Sequence, residues 1–237
     1  MLDTKEEQRY EQLRKLGQEL HIPIPEAFLT LEVFGKNGKL LLRHHQRSHS
    51  WVRNAYNIMF SYLAGKDLDQ ASFGAGLLSL KDTAAAVCFG SGTILQSDDS
   101  LDTVGPVECG YRSPAEEDRW GIMVGSGTDA ESFEDYKLQT QIASGAAAGQ
   151  LNHIASQPHA IDWSAPVLKN ELARYFNNNS GGAVNVNEVA LCFKGYQPGD
   201  GLYKWYVTSR DKLPGIVTVP DTGQLKVTYT VQLTYPA

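Results

Sequence analysis

The stretch FNNNSGGAVNVNEVALCF, from Phe176 to Phe193, joins a polar half to a half in which apolar and polar residues alternate. Asn and Gly adopt left-handed backbone conformations readily, so NNNSGG predicts a tight turn that leads into a strand. The inward residues of that strand are predicted to be Val184, Val186, Val189, Leu191 and Phe193. Because the parity of the apolar positions changes after Val186, we expect a β-bulge near Asn187 and Glu188.

Similar short β-branched or aromatic runs recur from Ala71 to the end of the chain, with turn-forming residues between them. The predicted strands are AAAVCFGS, RWGIMVGS, NEVALCF, KWYVTSR, GIVTVPD and QLKVTYTVQLTY. On one face of the last strand we expect Leu225, Val227, Tyr229, Val231, Leu233 and Tyr235. Many short strands separated by turns predict a mainly β fold, an antiparallel, jelly-roll-like β-sandwich.

The N-terminal residues predict a helix from Lys5 to Leu20, with Thr4 and Glu7 in the spacing of a capping box. Its apolar positions are Tyr10, Leu13, Leu16 and Leu20. A stripe this narrow suits either packing on the helix's own domain or an arm that docks on a neighbouring subunit. Pro23 and Pro25 then hold the backbone extended. We expect a helical arm over residues 1–24 and a β-sandwich domain over residues 25–237.

A hairpin and a second helix are predicted next. Asn37-Gly38 lies between apolar runs, which predicts strands over Phe28–Phe34 and Lys39–His44. One core helix is predicted near residues 50–64, capped by Ser48 or Ser50 and ending at Gly65, with Arg53 and Asn54 off its buried side. Its apolar face comprises Trp51, Ala55, Ile58, Met59, Tyr62 and Leu63.

Composition excludes several classes of function. A net charge of −6 over 237 residues argues against nucleic acid as the main partner, since phosphate binding needs a basic surface. Three cysteines, Cys88, Cys109 and Cys192, without a CxxC spacing predict small buried side chains in a reducing compartment. The chain contains neither an apolar run long enough to span a bilayer nor a typical signal peptide. We therefore expect no membrane partner and synthesis in a cytoplasm.

The sequence contains no motif typical of a catalytic, nucleotide-binding or metal-binding site. CFGSGT and MVGSGT follow apolar runs, but neither matches a phosphate-binding loop, and tight strand exits explain both. The cluster of His44, His45 and His49 with Arg43 and Arg47 lacks further zinc ligands, and a polar strand end explains it. Acidic groups near residues 98–102, 116–118 and 131–135 do not match calcium loops. We expect no catalytic, cofactor or metal site; a hydrolase using unrecognised carboxylates stays as a minor alternative.

Several stretches together resemble virion structural proteins of tailed bacteriophages, a family that includes head decoration, neck and tail subunits. They are WVRNAYNIMF, GIMVGSGTDAESFEDYKLQTQIASGAAAGQLNH, FNNNSGGAVNVNEVALCF and SRDKLPGIVTVPDTGQLKVTYTV. The matching motifs are Trp51–Asn54, Val124–Thr128, Asp135–Ile142, Asn178–Val189 and Arg210–Thr230, in the family's order. The resemblance covers most of Phe28–Leu233, is looser over Leu95–Asp118, and omits the N-terminal helix.

The resemblance implies a non-enzymatic, β-rich subunit of the virion, made and assembled in the host cytoplasm. Its expected partners are copies of itself and other virion proteins. DAESFEDYKLQTQIASG lacks helical or strand periodicity, which favours an extended segment lying across a neighbouring subunit. The expected subunit contacts are Tyr10, Leu13, Leu16, Phe133, Tyr136, Leu138 and Ile142. The alternative is a carbohydrate- or receptor-binding β-sandwich that uses Tyr203, Trp205 and Tyr206.

Overall fold

A computed structural model describes residues 4–48, 50–64, 79–88, 109–197 and 202–236. Over these ranges the chain forms two helices, α1 (Thr4–Leu20) and α2 (Arg53–Ala64). The strands are β1 (Ile24–Phe34), β2 (Leu40–Arg47), β3 (Leu80–Lys81), β4 (Val87–Cys88), β5 (Gly121–Gly125), β6 (Asn152–His153), β7 (Ala160–Ser164), β8 (Val167–Asn177), β9 (Val184–Gln197), β10 (Leu202–Val219) and β11 (Gln224–Thr234). The prediction of a mainly β, antiparallel fold with two helices is confirmed.

Two antiparallel sheets face each other across one apolar core. The larger sheet has the order β2-β1-β11-β8, with β6 and β7 both pairing to the far edge of β8. The smaller sheet has the order β10-β9-β5. The core between them includes Leu29, Leu31, Val33, Leu225 and Val227 from the larger sheet and Ile122, Val124, Val186, Val189 and Val219 from the smaller. The jelly-roll connection within this sandwich stays a prediction.

The smaller sheet is covered on both faces, which explains the nearly continuous burial of β9. Ala190 and Cys192 face away from the main core, towards Val52, Trp120 and Leu138. A layer built from α2 and the irregular segment after β5 therefore shields this face from water. Cys109 and Cys192 are buried, which confirms the predicted burial for these two cysteines; the Cys88 side chain lies outside the described residues.

The predicted bulge in β9 is confirmed. Val186 and Val189 face the same core, although three positions separate them. The β9–β10 register shifts at this point, between the pairs Glu188–Lys212 and Val186–Val217. KWYVTSR and GIVTVPD, predicted as separate strands, belong to the single strand β10.

The NNNSGG turn is organised by Asn178, whose side chain is fully buried. Its amide donates to the carbonyls of Gly182 and Val219, and its carbonyl oxygen accepts from Ser180. Gly181 has φ of 77°, the left-handed conformation that favours glycine. The turn therefore feeds β9, as predicted, and also ties β9 to the end of β10.

Strand β8 was not predicted from the sequence. Its inward positions include Leu172 and Phe176, but the position between them is Arg174, which interrupts the apolar alternation. The Arg174 guanidinium is buried and donates to backbone carbonyls, among them those of Ile122 at 3.0 Å and Ile154 at 2.9 Å. An arginine satisfied by carbonyl groups thus occupies a core position that sequence patterns assign to an apolar residue.

The first hairpin matches its prediction in type but not in length. Strand β1 begins at Ile24, inside the predicted arm, and β2 continues to Arg47, three residues past its predicted end. Gly38 adopts φ of 74° in the connecting turn. The longer β2 carries His44 and His45 on its strand, in agreement with the interpretation of this stretch as a polar strand end.

The prediction for α2 needs three corrections. The helix begins at Arg53, because Trp51 pairs as an isolated β-bridge with Ser209. Met59 is exposed, so it does not belong to a buried face. Asn54 is buried and bonds through its amide to Lys81 and to the carbonyl of Val207. Predictions for the side chains of Tyr62 and Leu63, and for Gly65, fall outside the described residues.

Candidate functional site

Two arginines and two glutamates hold α1 on the outer face of the larger sheet. Arg14 donates to Glu26 at 2.8 and 3.0 Å and to Glu7 at 2.8 Å. Arg47 donates to Glu26 at 2.6 Å and to both oxygens of Glu7 at 2.8 and 2.7 Å. These four residues, here called the α1 clamp, connect the helix to β1 and to the end of β2.

Electrostatics of the α1 clamp favour its ionised form. Burial alone would raise the pKa of Glu26, but the hydrogen bonds from Arg14 and Arg47 hold that pKa below its ordinary value. Hydrogen bonds from Arg14 and then Arg47 also lower the pKa of Glu7. The side chains of Glu26 and Arg47 are almost fully buried, so removing either would leave the other buried charge with only a partly exposed partner.

Tyr10, a predicted subunit contact, packs on its own chain. Its ring lies over the Arg47 guanidinium, with 3.6 Å between Arg47 Cζ and the ring centroid. The ring of Phe28 lies 4.8 Å from the same carbon. Tyr10 therefore extends the α1 clamp through a cation–π contact.

The remaining apolar residues of the helix face outwards. Leu13, Leu16, Leu20 and the following Ile22 are between 42% and 57% exposed. At 100° per residue, the three leucines lie roughly 110–170° around the helix from Glu7 and Arg14, its two members of the α1 clamp. These four side chains, here called the leucine ridge, form an apolar strip along one flank of α1 and just beyond its end.

The inner face of the larger sheet also has an uncovered end. Cross-strand register places Trp163 beside Leu168 and Leu168 beside Leu233. These residues alternate with outward-facing ones, in phase with the buried core residues Leu172 and Tyr229. Trp163 is nevertheless 56% exposed, so the smaller sheet does not cover this part of the face.

Neighbouring residues enlarge this apolar surface. Ile161, one row inwards on β7, is 71% exposed, and the ring of Tyr235 meets that of Trp163 edge-on at 5.4 Å. A cavity of about 300 Å³ lies beside them, lined mainly by apolar and aromatic residues, among them Trp51, Tyr111, Leu168, Leu191, Val231 and Leu233, and also by the polar His159, Asn170 and Gln232. This cavity together with Ile161, Trp163 and Tyr235 is here called the open end.

A second ionic group fixes the irregular segment after β5. The buried carboxylate of Glu188 accepts hydrogen bonds from the backbone N–H groups of Gly127, Gln139 and Thr140, at 2.8 to 3.1 Å. It also accepts from Arg210 Nε at 2.8 Å. One side chain on β9 thus fastens this segment, residues 126–151, to the smaller sheet at its start and near its middle.

The glycines of MVGSGT are explained by the same carboxylate. A Cβ on Gly125 would lie 2.6 Å from Glu188 Oε1, and a Cβ on Gly127 would lie 2.4 Å from the same atom. Only glycine allows the backbone to approach the carboxylate this closely. The motif is therefore a strand exit packed against Glu188; the residues of CFGSGT after Cys88 lie outside the described part of the chain.

The four predicted contacts on this segment divide into two pairs. Leu138 and Ile142 are buried in the cores of their own chain, so they anchor the segment there. Phe133 is exposed and packs beside Tyr56, with 5.8 Å between ring centroids. Tyr136 is half-buried under Lys81, whose Nζ lies 3.7 Å from its ring centroid. Of these four residues, Phe133 is the most exposed and so the most available for contact with a neighbouring subunit.

The polar cluster around Asp211 is closed to solvent. Ser48 and Ser209 donate to Asp211 Oδ2 at 2.8 and 3.0 Å, and the Tyr229 hydroxyl donates to the same oxygen. Burial raises the pKa of Asp211 and raises that of Tyr229 well above its ordinary value. These groups bond to one another inside the sandwich, which suits them to joining β2, β10 and β11.

The histidines occupy separate settings. His45 stacks on Phe28 and bonds through Nδ1 to Thr30 Oγ1, while His44 bonds to Gln46. His153 is buried against Phe176, and burial followed by the charge of Arg174 lowers its pKa to about 4. Across the described ranges, no group of three or more His, Cys, Asp or Glu side chains is placed to hold a metal ion.

The aromatic residues of GLYKWYV do not share one exposed face. Tyr206 is buried, and it points to the face of β10 opposite to Tyr203 and Trp205. The guanidinium of Arg119 lies over the Trp205 ring, with 4.6 Å between Arg119 Cζ and the ring centroid. This arrangement leaves less aromatic surface for a sugar ring than the sequence alternative requires.

Comparisons with protein-family models, curated proteins and solved structures return no match to this chain. Among the described helices, none is long and apolar enough to cross a membrane.

Proposed function

We propose that this chain is a non-enzymatic structural subunit of a tailed-phage virion that contributes to particle assembly or stability through contacts between copies. The observation that carries the proposal is the pairing of two exposed apolar surfaces on one chain, the leucine ridge and the open end. Soluble monomers seldom expose apolar patches of more than a few hundred Å², and larger ones mark interaction sites.

The phage assignment is supported by the sequence resemblance. Its best-matched motifs fall on architectural positions of the fold. Gly125 and Gly127 pack against Glu188, and Asn178 organises the turn before β9. Such residues fix the shape of a sandwich, which is what a subunit repeated many times in a particle requires.

The proposed partners are copies of the same chain and other virion proteins, met during assembly in the host cytoplasm. The net charge of −6 favours protein partners over nucleic acid.

Particle composition tests this function. Virions would be purified by density gradient from an induced culture of the bacterium that carries the gene, and their proteins identified by mass spectrometry. The proposal predicts this chain in the particle band at many copies per virion. Recovery of the chain only from the particle-free supernatant would overturn it.

A further inference from the structure

We propose that the leucine ridge of one copy docks into the open end of a second copy. This inference rests on the proposed function as a self-assembling subunit and names the two surfaces that meet. Both surfaces are apolar, both are exposed in the described chain, and they differ in shape. The ridge is convex, and the open end contains a cavity of about 300 Å³.

The α1 clamp prevents a subunit from filling its own open end with its own ridge. Glu26 and Arg47 fix α1 on the outer face of the larger sheet, through bonds of 2.6 to 3.0 Å. The open end lies on the inner face of the same sheet, because Trp163 and Leu168 are in phase with the buried Leu172. A ridge that reaches this surface without breaking the clamp must therefore come from another copy.

The leucine ridge and the open end are both mainly apolar, and the cavity is large enough for leucine side chains. A cavity of about 150 Å³ accepts benzene, so one twice that size has room for about two leucine-sized side chains. Leu13, Leu16 and Leu20 follow the three-and-four spacing by which an amphipathic helix seats its anchors in a groove. Trp163 pairs across the strands with Leu168, which lines the cavity, and its ring meets that of Tyr235, so two aromatic rings lie beside the cavity for leucine side chains to pack on.

Placement within the fold also favours exchange between copies. Ile22 closes the ridge two residues before Ile24, which pairs with Thr234 at the end of β11. Tyr235 of the open end follows directly. Because the two surfaces lie at the same end of the larger sheet, two copies brought together at that end can each give a ridge and receive one.

Disulfide trapping between two different variants tests the docking. One copy carries Leu16→Cys and a second, differently tagged copy carries Ile161→Cys, both with Cys88→Ser; Cys109 and Cys192 are buried and stay. After mixing and mild oxidation, we expect a cross-linked product that contains both tags. The matched control replaces Ile161→Cys by Lys36→Cys, an exposed residue of the first hairpin, and should give at least fivefold less mixed product.

The disulfide trapping has three possible outcomes. Mixed cross-links between the Leu16→Cys copy and the Ile161→Cys copy support the docking, provided that a mass of two or more subunits accompanies them. Products joined only through two copies of Leu16→Cys would overturn the docking and leave self-assembly intact, because ridges would then pair with each other. Monomers without cross-links would overturn the docking, and only the composition of purified virions would decide the proposed function.

Tryptophan fluorescence gives a second readout that needs no cross-link. Trp163 is more than half exposed in the single subunit, so docking should shift its emission to shorter wavelength as protein concentration rises. The difference between the wild type and Trp163→Phe isolates this residue from the other three tryptophans. Leu16→Gln should abolish the shift; a shift that persists in Leu16→Gln would argue against the ridge as the occupant.

Discussion

Glu188 and Arg210 form a buried ion pair between neighbouring strands, with 2.8 Å between Glu188 Oε2 and Arg210 Nε. Arg210 also donates to Asp135 at 2.8 Å and to the carbonyls of Asp129 and Ala130. The pair therefore lies between the smaller sheet and the irregular segment that follows β5. A segment with little regular structure gains a fixed position because two charged side chains satisfy its backbone.

Removing the charge of Glu188 should destabilise the fold strongly. Glu188→Gln leaves Arg210 without its buried partner and weakens three backbone hydrogen bonds. Breaking a buried ion pair from one side costs about 3–5 kcal/mol when the remaining charge has no other partner; because Arg210 keeps Asp135, we expect a loss of about 3 kcal/mol in the free energy of unfolding by urea. The matched control is Glu134→Gln, since Glu134 pairs with Arg53 at the surface, where the expected loss is about 0.5 kcal/mol. Equal losses in both variants would contradict the role given to Glu188.

Close approach to the same carboxylate makes Gly127 intolerant of a side chain. Gly127→Ala places a Cβ 2.4 Å from Glu188 Oε1 in the present geometry, so the segment must move. We expect a loss of about 1–3 kcal/mol in the free energy of unfolding. Gly182→Ala is the control, because its Cβ would meet no atom within 4 Å, and it should change stability by less than about 1 kcal/mol. A neutral Gly127→Ala would show that the segment is free to shift.

Loss of the α1 clamp should release the helix before the sandwich unfolds. Glu26→Gln leaves Arg14 and Arg47 with only the partly exposed Glu7 as a carboxylate partner. Amide hydrogens of α1 should then exchange at least tenfold faster, while those of β9 keep their protection. Glu11→Gln, which removes only an exposed pair with Lys15, should leave α1 exchange within about twofold of the wild type. Unchanged α1 exchange in Glu26→Gln would refute the clamp.

The buried ring of His153 predicts a pH dependence of stability. Its folded pKa of about 4 lies below the ordinary 6.5, so the unfolded chain binds a proton first as the pH falls. Stability should be undiminished above pH 6.5 and decline between pH 6.5 and 4, by about 3 kcal/mol from this group.

Urea titrations at a series of pH values from 7.5 to 4 test this pH dependence of the free energy of unfolding. The difference between the wild type and His153→Gln should shrink as the pH falls, because the variant lacks the group that gains a proton on unfolding. His44→Gln, on the partly exposed edge strand β2, is the matched control and leaves the buried ring in place. A constant difference for His153→Gln across this range would contradict the depressed pKa.

Local signals predicted much of the fold. The alternation in β9 and β11, the turn at Asn178 and the hairpin at Gly38 depend on neighbours in sequence, so pattern and turn chemistry identify them. Strand β8 was not predicted, because Arg174 occupies an inward position and donates to carbonyl groups far away in sequence, such as those of Trp120 and Pro114. No periodicity can report a partner that lies more than 50 residues away.

The candidate site was predicted only in part, because part of it depends on contacts between residues far apart in sequence. The narrow stripe of α1 identified Leu13 and Leu16, which are exposed, but its first member, Tyr10, covers Arg47 from the end of β2. The open end had no signal of its own, because Ile161 and Trp163 lie on β7, which was not predicted. Their exposure depends on how far the smaller sheet extends, a property of the assembled sandwich.

Solution mass, measured by sedimentation equilibrium, shows whether copies of this chain assemble through the leucine ridge. The wild type would be compared with a variant carrying Leu13→Gln, Leu16→Gln and Leu20→Gln, which keeps the α1 clamp, and with Met59→Gln, an exposed apolar residue outside both surfaces. We expect a multiple of the 26.1 kDa subunit for the wild type and Met59→Gln, and a single subunit for the triple variant. A wild type that stays at 26.1 kDa at high concentration, or a triple variant that assembles equally well, would contradict assembly through the leucine ridge.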